Sequence, residues 1–148
     1  GLTADQLLDH LRKDFKIKVL REPAVPYIKF EMTMFLDGQW FQLNWRKDVL
    51  KHFSESAVLL DVDLLNERIL KPVLGIENVK TDTRLKYIDG LQDIKKLEEA
   101  AGSEGVAFYL FPVDFEDLQE IVDNQGTLPP KSTFFEPRMK NGLLVYEI

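Results

Sequence analysis

The sequence contains no cysteine at all. That absence excludes a disulfide framework, thiolate metal sites and catalysis by a cysteine nucleophile, and it fits a reducing compartment, so a cytoplasmic location is expected. Histidine is almost as scarce. His10 and His52 are the only two imidazoles, and each stands among lysines and acids on a predicted helix, where a solvated side chain is the ordinary outcome; zinc, which wants several N or S ligands, is not expected. Glycine is sparse and never clustered, with 8 in 148 residues, so no glycine-rich cradle wraps a phosphate. No apolar run approaches the roughly 18 to 20 residues of a membrane span, and the first residues do not read as a signal peptide. The chain is expected to have no membrane partner.

What is present is the material of a folded domain. Hydrophobic residues make up 45% and charged residues 30%, with Phe at 10 and Trp at 2, enough to close one core in a chain of this length. The net charge is -6. A surface of that sign repels phosphate backbones, so nucleic acid is excluded as an expected partner. The chain starts on Gly1 rather than Met and runs directly into a helix signal, which predicts a piece of a longer protein, with residues 1–148 forming a single domain.

Local patterns predict an α+β domain with a mixed β-sheet, a β-hairpin in the N-terminal half and about four helices. Thr3 and Gln6 are spaced as a capping box before Leu7, Leu8, Leu11 and Phe15, which predicts a helix over about residues 3–14. Ile17 and Val19 predict a short strand. Ile28 to Leu36 alternates apolar and polar up to Asp37-Gly38, a pair suited to a type I′ turn, and Phe41, Leu43 and Trp45 alternate back. With those two residues as the loop, Met34 faces Phe41, Met32 faces Leu43 and Phe30 faces Trp45. The opposite side, with Thr33 against Gln42 and Glu31 against Asn44, is expected to be mostly wet, with Phe35 and Trp40 as an aromatic pair. Asp61 or Asp63 is expected to cap a helix whose inner stripe is Leu65, Ile69 and Val73 and which ends or kinks near Pro72.

Further along, Leu85 to Gly90 predicts a short strand and turn, and Leu91 to Ala101 an amphipathic helix closed by Gly102. Val106 to Phe111 is an unbroken apolar run, the mark of an interior strand covered on both faces. Asp114 then caps a helix presenting Phe115, Leu118, Ile121 and Val122. A last strand is expected over residues 143–147.

The segment Leu128-Pro129-Pro130-Lys131-Ser132-Thr133-Phe134-Phe135-Glu136-Pro137-Arg138, followed by Gly142-Leu143, resembles the terminal signature of the bacterial and archaeal family called domain of unknown function 1015. Leu70 to Ile76, Tyr87 to Gly90 and Phe108 to Pro112 are similar to further pieces of that family, in the same order, so the resemblance spans nearly the whole chain. It implies that this is the C-terminal part of a longer, uncharacterised protein. The family's upstream half usually holds an Asp-Gly-His-His-Arg stretch similar to one in nucleotide-dependent kinases, and no such stretch occurs here. At Asn66 the chain departs from the His that often precedes Glu67, and at Arg138 it has Arg where Lys is usual.

Lys131, Ser132 and Thr133 put an ammonium and two hydroxyls on consecutive residues, with Arg138 and Lys140 close behind and only Glu136 opposing them. Lys131, Ser132, Thr133 and Arg138 are therefore the anion-binding candidates, able to hold a phosphate or carboxylate. Prolines stand where a Walker loop has glycines, and the same segment also reads as a stiff crossing loop in which Ser132 and Thr133 satisfy the backbone. Asp61, Asp63 and Glu67 are the residues that could ligate a cation, though Asp at a helix start reads first as a cap.

Two functional readings follow. In the first, the chain lends anion-binding residues to a phosphometabolite- or nucleotide-handling site completed by a missing N-terminal half, with a phosphorylated metabolite as partner and a nucleotide as cofactor of the full-length protein only; the fragment alone is expected to be inactive. In the second, it is a non-catalytic packing or dimerisation domain whose hairpin aromatics cover a neighbour, in a homodimer for instance.

Overall fold

In a computed structural model of the chain, residues 2–53, 58–90 and 92–129 are described. Helix α1 (Ala4–Asp14) starts as its sequence dictates: Thr3 accepts from the Gln6 N–H while the Gln6 side chain accepts from the Thr3 N–H. Its turns put Leu7 and Leu11 on one side, and both are buried. The chain passes from α1 straight into β1 (Phe15–Leu20). After a loop follow β2 (Glu31–Leu36) and β3 (Gln39–Trp45), joined by Asp37 and Gly38, whose φ angles of 48° and 74° are those that a type I′ turn requires. The expected register holds, with Met34 opposite Phe41, Met32 opposite Leu43, and Phe35 opposite Trp40.

Among the described residues the sheet has four strands in the order β1-β3-β2-β4, with β4 spanning Val106–Leu110. The fold is α+β, as expected. Every described pairing is antiparallel, where a mixed sheet was expected, because α1 leads directly into β1 and no crossover helix links strands that pair. Among the described residues the helices number five: α1, α2 (Lys47–Lys51), α3 (Asp61–Leu65), α4 (Lys95–Ala101) and α5 (Phe115–Asp123), and α3 continues into a π-helical turn over Asn66–Leu70. None of the described helices is long and apolar enough to cross a membrane.

One face of the sheet carries Phe15, Met32, Met34, Leu43 and Trp45, and α1 with the α3–π segment covers it through Leu7, Leu11, Leu64, Leu65, Ile69 and Leu70. A guanidinium fork locks these two helices together: Arg68 Nε and Nη2 donate to the two Asp14 carboxylate oxygens at 3.1 and 2.7 Å. Asp14 is buried while Arg68 is about half exposed. Arg68→Ala strands that carboxylate, and the expected cost is about 1–3 kcal/mol in urea unfolding at neutral pH. A loss below about 0.5 kcal/mol would show that solvent replaces the guanidinium.

The opposite sheet face was expected to be wet, and here the structure differs. Glu31, Thr33, Phe35 and Trp40 are all buried. The loop before β2 folds over them, so that Thr33 Oγ1 donates to the Ala24 carbonyl at 2.5 Å and Glu31 accepts from the Tyr27 N–H and from the amides of Gln42 and Asn44. Trp40 Nε1 reaches across to Glu98 of α4 at 2.5 Å. Alternation alone could not reveal a roof built from residues 23–29. The hairpin aromatics are thus spent inside the molecule and present no face to a neighbour.

Three further expectations are corrected. Phe30 is not a β2 residue: it sits at φ 68° just before the strand, half-buried, with its carbonyl accepting from the Trp45 N–H at 3.1 Å. Residues 85–89 form no strand; instead the Tyr109 hydroxyl donates to the Gly90 carbonyl at 2.9 Å. β4 is half-buried throughout and lies at the end of the described sheet, pairing only with β2. Its apolar run contacts α4 and the core on its two faces. The strand expected over 143–147 lies outside the described residues.

Candidate functional site

The sequence-derived anion candidates, Lys131, Ser132, Thr133 and Arg138, lie outside the described residues. The remaining candidates are placed. His10 and His52 are both exposed, with His52 Nδ1 2.7 Å from the Asp48 carbonyl. His10 borders a depression of about 240 Å³ along α1 with Gln6, Asp9 and Lys13, below the roughly 300 Å³ where ligand sites begin. Among the described residues, no three His, Asp or Glu side chains are grouped so as to hold a metal ion.

Asp61 does not cap its helix. Leu60 occupies the cap position, and the Asp61 side chain turns inward, its Oδ2 accepting from the Phe30 N–H at 3.0 Å. Asp61 Oδ1 and Trp45 Nε1 are both buried without a hydrogen bond that meets normal geometry. Burial pushes the Asp61 carboxyl up to about 6, against the opposing pull of the Phe30 N–H, the Trp45 indole and Lys29. Lys29 itself is held by both oxygens of Asp117 at 2.6 and 2.7 Å and stands 5.5 Å from the Phe30 ring. This cluster joins the loop before β2 to α3 and α5. Asp61 and Trp45 are closed to solvent within it, while the Lys29 side chain stays 28% exposed at its edge.

The larger depression lies on the outer side of the π-turn. It is a shallow, open depression of about 380 Å³ lined by Asn66, Glu67, Lys71, Ile76, Glu77, Asn78, Val79 and Lys80. The reason for its lining is helical phase. In an α-helix the residue beneath Asn66 would be Leu70, four positions on; in the π-turn it is Lys71, whose N–H donates to the Asn66 carbonyl at 3.1 Å,. Leu70 is thereby turned into the core, 6% exposed, and Lys71 is set beside Asn66 on the open side. Pro72 supplies the cause. It has no N–H, and its ring would collide with the Arg68 carbonyl in regular α geometry, a clash that the wider turn relieves.

The far wall is fixed by the backbone. Gly75 takes φ 65°, which lets the Ile76 N–H return to the Leu70 carbonyl at 2.8 Å and buries Ile76. Arg84 donates to the carbonyls of Leu74 and Gly75 at 3.3 and 2.8 Å while pairing with Asp82. Two cations and two carboxylates ring the opening. Lys71 and Glu77 approach to only 3.8 Å and are both largely exposed, so water screens the pair and it yields readily to a ligand. Lys80 makes no ion pair among the described residues, and its backbone N–H donates to Asn78 Oδ1 at 2.9 Å. Asp63, one turn before Glu67, is pushed upward by burial and by the Glu67 charge.

Sequence reasoning singled out only Glu67 of this group. The signal it could have used is Lys71-Pro72 inside a helical pattern, which requires the turn before Pro to distort. No family model, no curated protein and no solved structure matches this chain.

Proposed function

We propose that this chain is a binding domain for a small metabolite carrying a phosphate or carboxylate group, and that it contributes this capacity to a phosphometabolite- or nucleotide-handling site completed elsewhere in a longer protein. The observation that carries the reading is the π-turn depression, where Lys71 and Lys80 supply positive charge and the Asn66 and Asn78 amides supply donors. The depression is open to solvent and suits a small ligand held by the charged groups at its rim. Glu67 and Glu77 on the same rim suit a ligand that also carries an amine or hydroxyl groups. The segment that holds Lys131, Ser132, Thr133 and Arg138 is the second place in the sequence where cations cluster.

The test is thermal unfolding of the chain with serine, phosphoserine and adenine nucleotides. A ligand at a hundred times its Kd stabilises by about 2.7 kcal/mol, which at this size raises Tm by roughly 5–10 °C. The phosphorylated ligand is expected to give this rise and free serine to give none. Lys71→Ala with Lys80→Ala should abolish it without lowering the ligand-free Tm, since exposed substitutions change stability by about 0.5 kcal/mol or less. If Lys131→Ala with Arg138→Ala abolishes it instead, the anion is held by that segment. A full rise in both double variants rules out both groups.

A further inference from the structure

The rim of the π-turn depression is balanced in charge, and the balance bears on what it can hold. Lys71 and Lys80 oppose Glu67 and Glu77, so a ligand that is only an anion meets as many repelling groups as attracting ones. A ligand with both signs does not. The two carboxylates, moreover, are differently placed. Glu77 leans on Lys71 at 3.8 Å in a loose, exposed pair, where it competes with any anion that approaches that ammonium. Glu67 has no ion pair among the described residues, because its neighbour Arg68 is committed to Asp14 through two hydrogen bonds. It is the rim carboxylate left without a counter-ion.

The signs are also separated along the helical segment. Asp63 lies one turn before Glu67, and its carboxyl is raised by burial and then by the Glu67 charge, so negative charge is concentrated on that side. Lys71 follows Glu67 by four positions, about 5–6 Å along the axis. Resting on the binding function proposed above, we propose that the ligand of this depression is a zwitterion: a primary amine that also carries a phosphate or carboxylate, with Lys71 and Lys80 taking the anion and Glu67 the ammonium. An ammonium has three N–H donors and no acceptor, and the Glu67 carboxylate with the adjoining Asn66 side-chain carbonyl can accept from it. A spacer of about two carbons between amine and anion suits the one-turn separation of Glu67 and Lys71.

The test is calorimetric titration of the full chain with probes that differ by one group, phosphoethanolamine against ethyl phosphate and β-alanine against propionate. Each pair isolates the ammonium, and the pair that binds more tightly identifies the anion. The expected result is at least tenfold tighter binding of the amine-bearing member. Glu67→Gln should remove that preference and Glu67→Lys should reverse it, whereas Glu77→Gln should strengthen both members and leave their ratio unchanged. Both glutamates are exposed, and an unaltered thermal midpoint verifies that each variant is folded. Equal affinities within both pairs, with binding still lost in Lys71→Ala with Lys80→Ala, overturn the zwitterion and leave the anion-binding function standing. A preference that survives Glu67→Gln but vanishes in Glu77→Gln overturns the assignment of the ammonium to Glu67. Failure of all four probes to bind overturns the zwitterion together with the function on which it rests.

Discussion

Phe15→Ala is expected to lower the unfolding free energy by about 3–5 kcal/mol, the usual range for deleting a fully enclosed aromatic ring. Phe15 is 0% exposed and stands at the seam between α1 and β1, its ring centroid 4.0 Å from that of Trp45. Its backbone N–H also serves as the last donor of α1, to the Leu11 carbonyl. The ring therefore holds the helix, the first strand and the end of the hairpin together, and the space left by its removal is bounded by regular elements that cannot close in. The measurement is a urea titration followed by far-UV circular dichroism. A loss under about 1.5 kcal/mol would mean that the α1 side of the core collapses freely, and the packing described for Leu7 and Leu11 would then be wrong.

The second large effect is a dependence on pH that runs opposite to the common one for acids. The Asp61 carboxyl, ordinarily near 3.8, is raised to about 6 in the fold by burial. Between those values the folded chain binds a proton that the unfolded chain has released. The contribution of Asp61 is therefore most favourable below pH 4, declines as pH rises toward 6, and is lost above it. Its full span is of the order of 3 kcal/mol. Comparing wild type with Asp61→Asn isolates it from the other carboxylates. The variant should gain on wild type by up to about 3 kcal/mol between pH 4 and pH 8, and a constant difference across that interval would show that Asp61 keeps an ordinary affinity for protons.

Asp61 also marks where sequence legibility ends. The capping box at Thr3, the type I′ turn at Asp37-Gly38 and the Met34–Phe41 register were readable because each depends on residues a few positions apart whose side chains or φ angles admit one arrangement. An aspartate at a helix start is ordinarily a cap, and nothing nearby in sequence announces that Phe30, 31 residues earlier, will take a left-handed conformation and point its N–H at Asp61. The roof over Glu31 and Thr33 was hidden for the same reason: period-two alternation states which side chains share a face, not what lies above it. The depression beside Lys71 was invisible for a different reason. Helical periodicity was assumed constant through residues 61–73, so Leu65, Ile69 and Val73 were taken as the inward stripe, whereas burial shifts to Leu64, Leu65, Ile69 and Leu70.

That shift of phase makes the π-turn comparable to a one-residue insertion in an otherwise regular helix. Each residue of an α-helix advances about 100° around the axis. Forcing the segment into regular α geometry with every residue kept would therefore swing everything after it by about that angle, bringing Leu70 under Asn66, carrying Lys71 away and turning Ile76 out of the core. The same backbone defect thus serves two masters, since it keeps Ile69 and Leu70 in register with α1 and the sheet while presenting Asn66 and Lys71 outward. Loss of the wide turn with the sequence unchanged would damage the core and dismantle the depression in a single step.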